Sequence, residues 1–373
     1  QAIFAHTRLC FAEELFHLKD LAPHYRSLVA LGRPVVQSNR LDGMPPGAKA
    51  ASARAPFVHE QIEHTYIQRL ELRQSCDVRG IILCPVPLAL ENAGAASASG
   101  RLALVLAFDR NGRPLGVRVF PSAAIRRDVE SLIHYYQQMY GVRQISLAET
   151  EPGCGLGPSL TDGAHTHAVS LRSSHAPNRS ELARIASWRP MADAPYGPGW
   201  TWAEPLAEGN RCLLAYHTTL AEQAGLERQA NLAALQDALE TGDTAFLLHP
   251  RRRPWIRSDN AQLAIDQERL LDDARYDGKW LVQGPEDWSV RDIQTSFICA
   301  QETALASASL SELMSRHPLF HGSGAVIRGQ AFCAFLALLL RRELMERLAS
   351  QGSMISWHEI RVALDSLVEA NVA

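Results

Sequence analysis

The segment RLALVLAFDRNGRPLGVRVFP, residues 101–121, leaves the chain little choice but to double back on itself. An apolar run of strand length is followed by DRNGRP and then by an alternating second run. The Asn111-Gly112 pair supplies the positive φ that such a tight turn needs. Another apolar run of strand length, within GIILCPVPLALE, precedes the hairpin. A helix over about 124–140, with Val129, Ile133 and Tyr136 on one face, follows it, and VRQISLAE reads as a fourth strand. Three strands, a helix and a fourth strand predict an α/β domain. Periodicity alone supports nothing finer.

The flanking regions differ in character. Residues 1–30 carry Phe11, Leu15, Leu18 and Leu21 among polar neighbours and read as a helix. LDGMPPGAKAASARAP, residues 41–56, reads as a linker, and a second helix is expected from about Phe57 to Arg73. Residues 151–200, rich in Gly, Pro, His and Trp, resist assignment. RCLLAYH reads as a strand, and LAEQAGLERQANLAALQDALETGD as an amphipathic helix ending at a glycine. RYDGKWLVQGP reads as two short strands around Asp277-Gly278. Helices are expected over about 291–315, 325–350 and 356–369, the last with Ser356 as N-cap. No internal repeat is visible.

At 373 residues the chain is long enough for one large core or two domains. Hydrophobic residues at 46% and charged residues at 21% are ordinary for a globular protein. The longest apolar run, Ala331 to Leu340, suits a buried core helix rather than a membrane span. No secretory signal is legible in a chain that starts at Gln1. The net charge of −3 argues against an overall basic coat for nucleic acid and leaves a local patch open. Seven scattered cysteines (Cys10, Cys76, Cys84, Cys154, Cys212, Cys299, Cys333) form no CxxC, so a zinc site is not expected and a reducing cytoplasm is.

Several segments, taken in order, resemble the DDE transposases of bacterial insertion sequences that carry a large insertion before the third catalytic carboxylate. They are FDRNGRPLGVRVFPSAA, RCLLAYHTTLAEQAGLERQANLAALQDALE, YDGKWLVQGPEDWSVRDI, HPLFH, IRGQAFCAFLALLLRREL and WHEIRVALDSL. The likeness covers roughly residues 78–369. It implies an RNase H-like mixed sheet with flanking helices, interrupted by an α+β insertion domain and preceded by an N-terminal helical region. The implied boundaries are 1–77 for the N-terminal region, 78–150 for the first part of the core, 151–287 for the insertion and 288–373 for the rest of the core with the C-terminal helices.

Carrying the family's catalytic triad across residue by residue leaves it mostly replaced. Cys84 falls at the first aspartate, with Val86 at the threonine and Glu91 at the glutamate that follow it. Glu149 falls at the second aspartate. Counting back from His317-Pro318, Phe297 and Ile298 take a tyrosine and a lysine, Ala304 takes the metal-binding glutamate, and Ala308 and Ser311 take an arginine and a lysine. Phosphodiester cleavage in such sites uses two divalent ions held by carboxylate oxygens. Cysteine is a soft ligand, alanine supplies none, and Glu149 alone is a weak metal candidate. No cofactor is therefore expected, with Mg²⁺ or Mn²⁺ only if some activity survives.

Other residues invite weaker readings. Glu302, two places from position 304, should face away by about 200° on a helix. Asp109 reads as a solvated turn residue, and Asp77 and Glu91 as surface acids. His165, His167 and His175 read as a polar loop rather than a metal site. Ser97 and Ser99, and the glycines at 153, 155 and 157, read as flexible loops without phosphate binding. Arg251, Arg252, Arg253 and Arg257 surround Trp255 and could contact phosphates while the tryptophan stacks or wedges; a solvated loop with a half-buried tryptophan is the equal alternative. Arg126 and Arg127 open a helix, where basic charge is mildly unfavourable, which makes them ligand-contact candidates; Arg341 and Arg342 close one.

Three functions follow as expectations. The first is a catalytically degenerate, transposase-like protein that binds DNA in the cytoplasm or nucleoid. The second is a protein-interaction subunit reusing the fold. The third is a metal-dependent nuclease with rearranged acids. DNA is the expected partner, other subunits or a homodimer are open, and no membrane is.

Overall fold

The computed structural model describes residues 58–72, 79–88, 102–150, 154–156, 160–161, 164–171, 188–190, 200–205, 212–247, 253–259, 262–316, 324–352 and 360. The helix expected within 1–30, the 41–56 linker, Asp77, Glu91, Ser97, Ser99, His175, Arg251, Arg252 and, apart from Ile360, the helix expected over 356–369 lie outside them. The chain is mixed α/β and forms two compact units, Gln1–Thr166 with Val290–Ala373, and His167–Ser289.

In the first unit the elements are α1 (Val58–Leu72), β1 (Gly80–Leu88), β2 (Leu102–Asp109), β3 (Pro114–Pro121), α2 (Ile125–Tyr140), β4 (Gln144–Thr150), α6 (Val290–Arg316) and α7 (Gly324–Ser350). The strands are ordered β3-β2-β1-β4, with β1 antiparallel to β2 and parallel to β4. The expected hairpin turns at Gly112, whose φ is +76°. The parallel β1–β4 pair needs a long crossover, and α2 provides it.

Alternation along the strands sorts side chains onto two faces. Ile82, Cys84, Leu104, Leu106 and Phe108 face one core with Cys299, Leu310, Val326, Phe332 and Phe335 of α6 and α7. Ile81, Leu83, Ala103, Val105 and Ala107 face the other, with Ile67 and Leu70 of α1 and Val129, Ile133 and Tyr136 of α2. Both faces are covered, so β1 and β2 read as continuous apolar runs.

A polar cluster is buried where α1 meets β3. Glu63 accepts from the amide of Val117 at 2.9 Å and from Arg118 Nη1. Arg118 also donates to the Val117 carbonyl, pairs with Glu60 at 3.1 Å and lies 5.8 Å from the Tyr135 ring centroid. Burial pushes the Glu63 carboxyl up to about 7, against the opposing pull of Arg118.

The second unit comprises β6 (Trp188–Pro190), β7 (Trp200–Pro205), β8 (Cys212–His217), α3 (Thr218–Thr241), α4 (Thr244–Leu247), the ribbon of β9 (Ile256–Asp259) and β10 (Gln262–Ile265), α5 (Gln267–Ala274) and β11 (Lys279–Gln283). Strand β11 is antiparallel to β8 and to β5 (His165–Ser170), which begins just before the unit boundary; β7 and β6 follow β8. α3 ends at Gly242 in the left-handed conformation, as its sequence predicts.

Three expectations are corrected. RYDGKWLVQGP holds one strand, not two: its upstream side is a turn leaving α5, a helix capped by Asp266 accepting from the Arg269 amide at 2.9 Å. At only eight residues, QERLLDDA is too short to show a helical period clearly. His165 and His167 stand on strand β5 rather than a polar loop, between the buried Thr166 and Ala168. Asp109 is 0% exposed rather than solvated, because its Oδ1 is turned inward to accept the amides of Asn111 and Arg113 at 2.9 and 2.8 Å. The expectation of a core helix over Ala331 to Leu340 holds: Gly324–Leu348 is long and apolar enough by composition to cross a membrane, but half of its most apolar stretch is buried, with Phe332, Cys333 and Phe335 in the core.

The Glu63 site makes a pH test. A carboxyl raised from 4.5 when unfolded to about 7 when folded contributes stability that is fully present below pH 4.5 and lost as pH rises through 7. Urea unfolding of the protein against Glu63→Gln should show the difference shifting by ~3 kcal/mol over that window in favour of the variant. Parallel pH profiles would contradict it.

Candidate functional site

Cys84 lies mid-way along β1, opposite Leu106 of β2, and is 1% exposed. Glu149 lies on the parallel neighbour β4, two residues beyond the Leu83–Leu147 pairing. Helix α6 packs over both strands. Its Ser307 hydroxyl donates to the Pro87 carbonyl at 2.9 Å, and its Thr303 hydroxyl donates to the Cys299 carbonyl at 2.8 Å while contacting the Cys84 thiol. The fold therefore brings together Cys84, Glu149 and the middle of α6, three elements that the transposase resemblance pairs with three carboxylates.

The helix meets β1 through Thr303, not through Ala304. This corrects the expectation that Glu302 faces away: it sits about 100° from the contact rather than 200°. Its charge reaches the Cys84 and Cys299 thiols. Burial raises the Glu302 carboxyl, with Arg341 and Arg342 pulling it back down. Ala304 flanks the contact on the other side and supplies no donor atom.

The chemistry of the centre is that of a packed core. Burial pushes the Cys84 thiol well above its ordinary range, and the carboxylates of Glu302 and Glu149 push it further, so it stays a neutral thiol. Glu149, 3% exposed, is held on both oxygens: Oε1 accepts the Cys154 amide at 2.9 Å, and Oε2 lies 3.2 Å from Nε2 of His165. Burial, with Glu149 adding, pushes the Cys154 thiol up to about 12. A thiol so raised is no activated nucleophile, although a histidine–carboxylate pair lies beside it.

Two divalent cations do not fit these residues. A neutral soft thiol, a carboxylate already engaged by an amide and an imidazole, and an alanine replace the hard oxygen ligands such ions need. Among the described residues no group of three His, Cys, Asp or Glu side chains is disposed to hold a metal ion.

In the first unit the described arginine candidates make local contacts of their own. Arg126 is exposed and its Nη2 donates to the Leu156 carbonyl at 2.8 Å; Arg127 is exposed with Nε 3.7 Å from Asp128. In the second unit Arg253 and Arg257 are exposed, while Trp255 is half-buried. The Trp255 Nε1 donates to Asp273 at 2.7 Å and its ring packs against the cluster of Leu235, Ala238 and Leu247.

Sequence reasoning missed the Glu149–His165 pair and the role of Thr303. The first joins positions 16 residues apart through strand pairing, and the second depends on a one-residue rotation of a long helix. Compared with protein-family models, curated proteins and solved structures, the chain finds no match.

If this centre is packed for neutrality, restoring the acid should be costly. Cys84→Asp is expected to lower unfolding free energy by ~3 kcal/mol or more in urea, the cost of a buried carboxylate facing two others. A variant as stable as the parent would contradict the description.

Proposed function

We propose that the protein is a catalytically degenerate relative of the DDE transposases that keeps a DNA-associated role and has shed strand cleavage. The observation that carries this reading is the meeting of Cys84, Glu149 and α6 at one buried point. Positions that the resemblance matches to acids are close in space, yet they hold a protonated thiol, an engaged glutamate and an alanine. Three antiparallel strands, a crossover helix and a fourth strand parallel to the first fit the RNase H-like core that the resemblance implies. Substitution has fallen on the polar catalytic positions and spared the alternating apolar ones, the pattern expected where folding is selected and cleavage is not.

A second reading, a protein-interaction subunit, is favoured by the outer face of α6. Leu305 is 55% exposed, and Ala308, where the family has an arginine, is exposed nearby.

Retention of sheared genomic DNA by the purified protein across a salt series separates the two. The DNA-associated reading predicts retention that weakens linearly in log–log form as salt rises, with no nicking in Mg²⁺ or Mn²⁺. No retention at low salt overturns it in favour of protein contacts. Mn²⁺-dependent nicking that disappears in Glu149→Gln overturns it in favour of a rearranged active site.

A further inference from the structure

Three arginines that the sequence reading did not single out stand side by side at the end of the first unit's sheet that holds the start of β1. Gly80 pairs with Gln144, and Ile81 pairs with Asp109. Arg79 and Arg143 therefore precede a matched pair of parallel residues, and Arg110 stands opposite Gly80. The three span adjacent strands in the order β2, β1, β4. Their backbones are fixed: the amides of Arg143 and Gln144 both donate to the Arg79 carbonyl, at 3.0 and 3.1 Å. All three side chains are exposed.

Gly80 lets Arg110 reach along this row. A Cβ at position 80 would lie 2.8 Å from both Cγ and Cδ of Arg110, with Nε closer still, so the arginine stem lies flat across β1 only because that residue has no side chain. The adjoining turn adds Arg113 and Arg342, both paired to Glu346, with Arg342 also donating to the Asn111 carbonyl at 3.0 Å. The carboxylate of Asp109 is buried and turned into the turn. Among the described residues Arg110 and Arg143 enter no ion pair, whereas Arg118, Arg228, Arg269 and Arg347 do. Among the described residues, the unpaired Arg110 and Arg143 add local positive charge on a chain whose net charge is −3.

We infer that the row Arg79–Arg110–Arg143 is a contact surface for the phosphate backbone of duplex DNA. Three strands about 4.8 Å apart put the outer arginines roughly 10 Å apart. That is the axial run of about three phosphates on one strand. Rigid strand ends position guanidinium groups, and guanidinium groups match phosphate geometry. The contact carries no base readout, so it positions the duplex rather than selecting a sequence. The choice of DNA over another polyanion rests on the proposed function, and the test separates the failure of each.

The full chain is titrated into a fluorescent duplex of about 30 bp by anisotropy, between about 50 and 200 mM salt. The parent is compared with Arg110→Ala/Arg143→Ala, with Arg110→Lys/Arg143→Lys, and with Arg269→Ala/Arg275→Ala, two exposed arginines of the second unit. Removing two phosphate contacts should lower the log–log salt slope by about 2 and weaken binding roughly 50-fold at 0.1 M salt. The lysine pair should restore most of the slope, and the second-unit pair should leave it unchanged. Equal urea midpoints exclude a folding effect. If the parent binds and the arginine-to-alanine pair binds equally well with the same slope, this inference is wrong and the proposed function stands. If the parent does not bind duplex DNA at all, both fail.

Discussion

The described part of the first unit is arranged around a strand that is covered on both faces over most of its length. β1 is covered on one face by α6 and α7 and on the other by α1 and α2, and its neighbours β2 and β4 complete the enclosure. A charge placed mid-strand there would lose its water and gain no compensating cation. Cys84 satisfies that constraint as a small neutral side chain. The same enclosure forces Glu149 to find its hydrogen bonds inside the protein, from the Cys154 amide and His165. A centre of this kind is stable because it is neutral and packed, which is the opposite of what a cation-binding active site needs.

Some polar groups are nevertheless buried as paired clusters. The Glu63–Arg118–Glu60 cluster ties α1 to β3 by charge-assisted bonds near Gly116. At Gly116 an added Cβ would sit 2.9 Å from the Tyr136 hydroxyl and 3.0 Å from Glu63, so the missing side chain makes room for the cluster. At the other end of the sheet the hairpin turn is held by Asp109 on its own amides and by Arg113 and Arg342 on Glu346. Among the described residues, Arg79, Arg110 and Arg143 are exposed there. Inward neutrality and outward positive charge thus sit at different places on one small sheet.

Much of this was legible in the residues. The 2–3 hairpin followed from Asn111-Gly112 between two apolar runs, α2 from the spacing of Val129, Ile133 and Tyr136, and α3 from its length and terminal glycine. What was not legible depends on pairing between distant segments. The helical turn of α6 that meets β1 is set by packing, and a one-residue rotation moved Thr303 into the place assigned to Ala304. The half-buried Trp255 is committed by Asp273, 18 residues away. Asp109 has the residue type of a solvated turn, yet it is buried with its carboxylate folded onto the turn's own amides. The arginine row is invisible in sequence because Arg79, Arg110 and Arg143 come together only through strand register.

The claim that most needs testing is that the centre formed by Cys84, Glu149 and α6 holds no catalytic cations. Titration of the full chain with Mn²⁺, following the free-ion signal by electron paramagnetic resonance, addresses it directly. The account predicts that free Mn²⁺ rises in proportion to what is added, with no saturable uptake that depends on Glu149. Saturable binding of two ions per chain, abolished by Glu149→Gln in a variant of unchanged stability, would contradict it.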